Sequence, residues 1–145
     1  MFKNILVPTD GSKLSEKAVK QAVAIAKQVK AKVTAIHVSP KFHTFTYQTE
    51  MLEVTRKEYD DVSAQRAAEI LQYAERVAAV SDVQCEGVRS VSDQPYLEII
   101  KAAKKKGCDL ILMASHGRRG IEGLLLGSET QKVLTHSVVP VLVYR

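Results

Sequence analysis

The stretch from Ala114 to Ser128 combines residue types that bind an anion. It contains four glycines, which let backbone N–H groups approach a ligand closely, and the adjacent pair Arg118 and Arg119. Arginine donates bidentate hydrogen bonds to phosphate, and a helix that begins at the end of this stretch would add unpaired N–H groups and positive potential. The pattern indicates a phosphate cradle. A flexible loop followed by a capped helix is the alternative, and glycine spacing alone does not decide between the two.

Two familiar phosphate-binding patterns are absent from the sequence. No GxxxxGK[ST] occurs, and the glycines follow the fourth predicted strand, with no acidic residue at the end of the second. We therefore expect neither a Walker A loop nor a nicotinamide dinucleotide site.

Asp10 is a second polar group in a position for chemistry, because it lies in the turn that ends the first predicted strand. A plain turn residue is the alternative role. His116 lies in the glycine-containing loop, and we expect it to form hydrogen bonds there, since the spacing reveals no Ser or Cys nucleophile with a base partner. No pair of histidines has the spacing of a metal site. We expect His37 in the core and His43 and His136 on the surface.

Strands and helices alternate along the chain and must position these loops. Repetition of this kind implies right-handed crossovers and a parallel sheet covered by helices on both faces. The predicted strands are 5–7, 32–38, 83–91, 110–113 and 138–144. The predicted helices begin near Ser12, Glu50, Asp93 and Ser128. The last of them begins with a capping box, Ser128-Glu129-Thr130-Gln131.

The composition of the strands predicts their order. The first and fourth are uniformly apolar and belong in the centre, whereas the third alternates with polar residues and the fifth contains Pro140, as edge strands do. We therefore predict an α/β, Rossmann-like fold with an open five-stranded parallel sheet in the order 3-2-1-4-5. In that order the winding reverses between strands 1 and 4, and ligands bind beyond the carboxyl ends there. The loops 8–11 and 114–120 would meet at this crevice.

Composition limits the remaining function classes. The chain has 145 residues, 46% apolar and 26% charged, which predicts a single domain over 1–145. Its apolar runs are too short to span a bilayer, and its N-terminus reads as a strand rather than a signal peptide, so we expect a cytoplasmic protein without a membrane partner. The net charge is +5, but the absence of a recognisable motif argues against nucleic acid. Cys85 and Cys108 are predicted to be buried free thiols.

Several landmarks match one known family. They are Ile5-Leu6-Val7-Pro8-Thr9-Asp10-Gly11-Ser12, His37-Val38, Met113-Ala114-Ser115-His116-Gly117-Arg118-Arg119-Gly120, Leu124-Leu125-Leu126-Gly127-Ser128 and Pro140-Val141-Leu142-Val143. On these residues the chain resembles the universal stress protein (UspA-like) family over all 145 residues, which implies an adenine nucleotide alpha-hydrolase-like fold.

The family's ATP-binding members carry the motif G-x2-G-x9-G-[ST], and Gly117, Gly127 and Ser128 match its later positions. Ala114 stands where the motif has its first glycine. Because Ala114 ends the fourth predicted strand, an extended backbone would accommodate the extra methyl group.

The resemblance implies a ligand, ATP or AMP, with Mg²⁺ or Mn²⁺ bridging the phosphates and Asp10 offering an oxygen to the metal. Together with the loop pattern, it assigns the following nucleotide-binding residues: Pro8, Thr9, Asp10, Val38, Met113, Ala114, His116, Gly117, Arg118, Arg119, Gly127, Ser128, Glu129 and Thr130.

The resemblance also implies a regulatory protein of the stress response, in which nucleotide occupancy shifts conformation or partner choice. Two alternatives stay open: a slow metal-dependent ATPase or nucleotidyl or phosphoryl transferase, and a dimeric stress protein that binds no nucleotide. Family members pair the fifth strand with its copy, which implies a homodimer through residues 138–144.

Overall fold

The computed structural model describes residues 1–43, 49–118 and 125–145, and for residues 49–54 it describes the backbone alone. Within these residues five strands alternate with four helices. They are β1 (Asn4–Pro8), α1 (Lys13–Val29), β2 (Lys32–Ser39), α2 (Thr49–Val80), β3 (Cys85–Val91), α3 (Pro95–Lys106), β4 (Leu110–Ala114), α4 (Ser128–His136) and β5 (Val141–Tyr144).

The strands form one parallel sheet in the order β3-β2-β1-β4-β5, which confirms the predicted α/β architecture. β4 is buried throughout, and β1 is buried except at Pro8, which is half-buried. β3 and β5 lie at the two edges, as their polar positions and Pro140 predicted. The winding therefore reverses between β1 and β4, and the loops that follow these two strands start side by side.

Alternate residues of the central strands face two separate cores. Ile5 and Leu112 pack with α1 and α2 on one face of the sheet, whereas Leu6 and Ile111 pack with α3 and α4 on the other. This alternation follows from the two-residue period of a strand. Because both faces are covered, β1 and β4 are fixed tightly and their carboxyl ends form a rigid base for the loops beyond them.

Two helix signals in the sequence are confirmed. Ser12 is the N-cap of α1, and its side chain accepts a hydrogen bond from the Ser15 N–H at 3.2 Å. α3 ends at Gly107, which adopts the left-handed conformation with φ 65° after three lysines in the last turn.

The caps predicted for the other two helices are wrong. Gln94, not Asp93, precedes α3, and the Asp93 carboxylate accepts the Lys41 N–H at 3.0 Å instead. α4 is preceded by Gly127, so Ser128 is the first helical residue and caps nothing. A tertiary contact takes the Asp93 side chain away from α3, which a local pattern does not reveal, whereas the start of α4 differs from the prediction by one residue.

Two strands begin later than predicted. β3 starts at Cys85 because the Val83 N–H donates a hydrogen bond to the Ala78 carbonyl near the end of α2, at 2.9 Å, and not to a neighbouring strand. β5 starts at Val141, so Pro140 lies just before the strand. The Pro140 carbonyl still accepts the Ile111 N–H at 2.9 Å. Because Pro140 precedes the strand, its missing N–H removes no hydrogen bond from the sheet.

Both cysteines are free thiols, and Cys108 is buried as predicted. Cys85 is only half-buried, because it lies on the edge strand β3. Burial raises the pKa of the Cys85 thiol to about 11, which leaves it protonated and unreactive at neutral pH. Among the helices described above, none has a stretch that is both long and apolar enough to cross a bilayer.

Candidate functional site

The loops after β1 and β4 contact each other directly. Asp10 Oδ2 accepts the Arg118 N–H at 2.8 Å, and the Arg118 guanidinium donates to the carbonyl oxygens of Asp10 (3.1 Å) and Gly11 (3.4 Å). One arginine therefore joins the two loops through its backbone and its side chain. The predicted meeting of these loops at the reversal of winding is confirmed.

Gly117 makes this contact sterically feasible. A β-carbon on residue 117 would overlap Asp10 Oδ2. The φ angle of Gly117 is not in the left-handed region, so the requirement for glycine here comes from the close approach of the carboxylate and not from backbone conformation.

Asp10 is held in its ionised form. Burial raises the pKa of the Asp10 carboxyl, but hydrogen bonds outweigh burial, and the pKa lies below the 3.8 of an unperturbed aspartate. The donors are the N–H groups of Ser12, at 3.0 Å, and Arg118. A fixed negative charge with both oxygens engaged thus lies at the centre of the crevice.

This lowered pKa predicts a pH dependence of stability. A carboxylate whose pKa is lower in the folded state stabilises fully above the unfolded pKa, here 3.8, and the contribution is lost as pH falls through the lower folded value. We expect the stability advantage of the parent over Asp10→Asn to be constant near neutral pH and to disappear in that acidic range. Urea unfolding of both proteins across the range measures it. An Asp10 carboxyl that titrates at or above 3.8 by NMR would contradict the prediction.

The floor beside Asp10 is tied to β2 and α1. Thr9 donates its N–H to the Ile36 carbonyl at 2.9 Å, and its hydroxyl lies 3.1 Å from that of Ser15. His37 Nδ1 donates to the Thr9 carbonyl at 2.9 Å. Burial lowers the pKa of His37, so the ring is neutral at pH 7 and acts as a structural donor. The prediction of a satisfied core histidine is confirmed.

On the other side of the crevice, the start of α4 is joined to the end of β4. The Gly127 N–H donates to the Ser115 carbonyl at 2.6 Å, and the buried Thr130 hydroxyl donates to the Ala114 carbonyl at 3.0 Å. Among the described residues, no side chain caps the helix at Gly127. The first turn of α4 therefore presents N–H groups without a side-chain acceptor, close to the carboxyl end of β4.

A groove of about 500 Å³ beside Gly11 was not predicted from the sequence. Its lining includes Arg66, Tyr73 and Arg76 of α2 together with Arg118. The spacing of the three α2 residues places them on one helix face, next to the apolar face, and this signal was present in the sequence. It identifies α2 as a second wall near the Asp10 loop.

Comparison with known proteins decides the family. The sequence model of the Universal stress protein family matches residues 1–145. The chain belongs to the universal stress protein family. It is 35% identical to the universal stress protein YxiE of Bacillus subtilis, with each chain covered in full. It is 32% identical to a universal stress protein of Methanocaldococcus jannaschii, over 100% of this chain and 83% of that one.

Solved structures of the family have the same fold. Universal stress protein UspA from Lactobacillus plantarum, 28% identical, superimposes with a TM-score of 0.85 over 99% of this chain and 97% of that one. Two more distant structures share the fold: a universal stress protein in complex with cAMP (24% identical, TM-score 0.73, 99% and 97% covered) and one from Archaeoglobus fulgidus in complex with dAMP (18%, 0.74, 99% and 98%).

In this universal stress protein most of the predicted site residues surround one crevice. The carboxyl ends of β1 and β2 carry Pro8, Thr9, Asp10 and Val38. β4 ends with Met113 and Ala114, and the loop after it begins with His116, Gly117 and Arg118. The start of α4 carries Gly127, Ser128, Glu129 and Thr130. Ala114 is in strand conformation, as expected of an alanine that replaces glycine there. His116 Nδ1 lies 3.2 Å from the Ser115 hydroxyl, within the loop. Arg119 lies outside the described residues.

Glu129 is an exception, because its carboxylate points away from the crevice. It accepts the Tyr96 N–H at 2.9 Å, in the first turn of α3. A negative charge there stabilises the amino end of α3. Glu129 thus joins the two helices on one face of the sheet.

The described side chains form no protein cage for a metal ion: over 1–43, 55–118 and 125–145, no three His, Cys, Asp or Glu side chains come together. Asp10 fits a metal bound mainly by a ligand's phosphates. It is ionised, and a carboxylate that accepts two hydrogen bonds keeps further lone pairs.

Proposed function

We propose that residues 1–145 act as one domain that binds an adenine nucleotide in the crevice between the loops after β1 and β4. The observation that carries this proposal is the start of α4 at Gly127. An uncapped helix N-terminus offers N–H donors and positive potential to a phosphate group. It lies beside the carboxyl end of β4, where parallel sheets of this kind bind ligands.

The surroundings of α4 supply the rest of a nucleotide site. The N–H groups of Ser128, Glu129 and Thr130 would bind phosphates, with Arg118 adding positive charge. The adenosine would lie against the ends of β1 and β2, where β2 continues to Ser39, past the last residue pair that it shares with β1. The complexes of related proteins with cAMP and dAMP support an adenine ligand.

We propose ATP or AMP as the ligand, with Mg²⁺ or Mn²⁺ held between the phosphates and an Asp10 oxygen. The ionised state of Asp10 supports this role. A bound metal would neutralise phosphate charge. Asp10 would orient that assembly and keep the loop of Arg118 over it, because the same carboxylate accepts the Arg118 N–H.

A regulatory role is favoured over catalysis. Hydrolysis needs a group that positions the attacking water, and Glu129 was the carboxylate nearest to the predicted phosphate position in the sequence. Its side chain instead holds the first turn of α3. We therefore propose that occupancy of the crevice, rather than turnover, changes the state of the protein in a stress response.

Calorimetric titration with ATP and AMP, with and without Mg²⁺, tests the proposal on protein freed of carried-over nucleotide. Gly127→Val should abolish binding, because a β-carbon at 127 already lies 3.3 Å from the His116 Cα and the branched side chain extends further. Gly107→Asn is the control, since residue 107 has open space around it and asparagine tolerates its left-handed conformation. Absence of binding to the parent protein, or equal binding by Gly127→Val, would refute the proposal.

We also propose a homodimer through residues 138–144. β5 is an edge strand, Val138 is 97% exposed and Leu142 is 37% exposed. An edge strand beside exposed apolar side chains is prone to pair with another strand unless it is covered. A second copy of β5 would cover it.

A charge on this edge should separate the subunits. We expect the parent protein to sediment as a dimer and Leu142→Lys to sediment as a folded monomer, because burying an unpaired ammonium group at an interface is unfavourable. Val80→Lys, at an exposed site on the end of α2, is the control and should stay dimeric. A parent protein that sediments as a monomer at all concentrations would contradict the prediction.

We also propose that the protein is cytoplasmic. Cys85 and Cys108 are both free thiols, and free thiols are usual in a reducing compartment. Fractionation of cells that express the full-length protein tests the assignment.

A further inference from the structure

A second groove lies at the opposite end of the sheet from the crevice. It has a volume of about 570 Å³ and is formed where the amino ends of β1, β2 and β3 meet the last turns of α1 and α2. Small-molecule sites have volumes in this range. The lining residues are Lys3, Ala26, Lys27, Lys30, Ala31, Lys32, Ser81, Asp82, Val83 and Gln84.

The groove is strongly basic. Four lysines line it against one aspartate, Asp82, and all four lysines are exposed. Within the part of the chain that the structure describes, none of the four forms an ion pair. Asp109 lies nearby, but its carboxylate accepts the N–H groups of Lys3 and Asn4. Positive charge is therefore concentrated around this groove without a matching number of carboxylates.

Backbone conformation sets this groove apart from the rest of the molecule. Lys30 (φ 58°) and Asp82 (φ 57°) are the two non-glycine residues with positive φ among those described, and both line it. Left-handed backbone is unfavourable for a residue with a β-carbon, and such conformations cluster at functional sites.

The carboxyl end of α3 provides a comparison for the carboxyl end of α1. It ends in the same left-handed conformation, but with Gly107 at that position. α1 ends with Lys30, whose backbone N–H donates to the Ala26 carbonyl. Glycine would serve that turn better, so the turn itself does not account for the lysine side chain.

We propose that this groove is a binding site for a compact oligophosphate, separate from the crevice at the other end of the sheet. Lysine ammonium groups bind phosphate as point charges, and four of them, from β2, the end of α1 and the segment before β1, surround one cavity. A short chain of phosphates would contact several ammonium groups at once.

The lining favours phosphate chains over nucleic acid. Proteins that bind single strands stack bases on aromatic side chains, and the groove has no aromatic residue in its lining. It also has no arginine, the residue that reads base edges and planar anions through paired donors. Point charges around a small cavity suit an anion without bases.

A structural role for the same lysines is the competing explanation. α1 and α2 both end at this groove, and cations stabilise the negative ends of helices. That explanation predicts that replacement of the lysines lowers stability without affecting any ligand. Lys30→Gly separates the two, because glycine relieves the left-handed backbone and should raise stability while it removes a ligand contact.

The test is titration with inorganic tripolyphosphate, followed by calorimetry and by backbone amide NMR at near-physiological salt. We expect shifts at the amides of Lys3, Lys30, Lys32 and Gln84. Lys27→Gln/Lys30→Gln should weaken binding about tenfold or more, because two of the four ammonium groups that would contact one ligand are lost. Lys17→Gln/Lys20→Gln is the matched control, with the same charge change and spacing on α1 and both residues exposed.

Further readouts decide the outcome. Lys30→Gly should be at least as stable as the parent and bind tripolyphosphate more weakly, and calorimetric titration of ATP into the crevice should be unchanged in both groove variants. Equal weakening by the control pair would show general charge screening and overturn the proposal. So would amide shifts confined to Gly127–Thr130, or a loss of stability in Lys27→Gln/Lys30→Gln with unchanged affinity.

Discussion

Gly117→Ala is expected to open the crevice and to weaken nucleotide binding by about tenfold or more, since each lost hydrogen bond to a charged group is equivalent to about 1.5–3 kcal/mol. The new β-carbon would overlap Asp10 Oδ2, so the carboxylate must move. When it moves, it loses the N–H donors of Ser12 and Arg118, which hold it ionised and keep the two loops together. The free energy of unfolding should fall by about 2 kcal/mol, less than the sum of two such bonds, because water can replace part of them at the half-buried Asp10 carboxylate.

Gly87→Ala is the matched control for this substitution. A β-carbon there would also meet a carboxylate oxygen, Glu75 Oε1, at 2.8 Å. Glutamate is longer and can turn aside, whereas the shorter Asp10 carboxylate is held by its two donors. Urea unfolding and ATP titration of both variants measure the difference. Equal effects of the two substitutions would show that the Asp10–Arg118 contact does not hold the crevice together.

Leu112→Ala should produce the largest loss of stability. Leu112 lies in the central strand β4, has no solvent exposure, and packs in the core beneath α1 and α2. Removal of a buried leucine side chain costs about 2–5 kcal/mol, because both the transfer energy and the contacts around the cavity are lost. The measurement is the midpoint of urea unfolding with an unchanged slope.

Leu134→Ala tests the same chemical change at the surface. Leu134 is 42% exposed on α4, so its truncation should cost well under half as much as that of Leu112. Comparable losses at the two positions would mean that β4 is not in the rigid centre of the sheet. In that case the carboxyl end of β4 would be a poor support for the crevice.

The fold could be predicted from the sequence because its main signals are local. The apolar runs 5–7 and 110–113, Ser12 before α1 and Gly107 after α3 each act within a few residues, and the apolar runs predict which strands are central. The cap predicted at Asp93 failed because it depended on a distant partner: the Asp93 carboxylate accepts the N–H of Lys41, 52 residues away in the sequence.

The candidate site was predictable in position but not in geometry. The reversal of winding brings residues 8–11 and 114–118 together, and this follows from strand order alone. The overlap that any β-carbon at Gly117 would have with Asp10 depends on distances between loops more than 100 residues apart. The α2 wall near Gly11 was not predicted, because the local sequence of α2 does not show that Arg66 and Tyr73 lie beside the loop after β1.

The backbone hydrogen bond between Ser115 and Gly127 makes the segment between these residues suitable for insertions and deletions. The Gly127 nitrogen lies 2.6 Å from the Ser115 carbonyl oxygen, so the end of β4 and the start of α4 meet directly. A segment whose two ends are held together can gain or lose residues at modest entropic cost, while β4 and α4 stay where they are. Evolution, or an engineer who inserts a sensor peptide there, can therefore change the length of this segment without rebuilding β4 or α4.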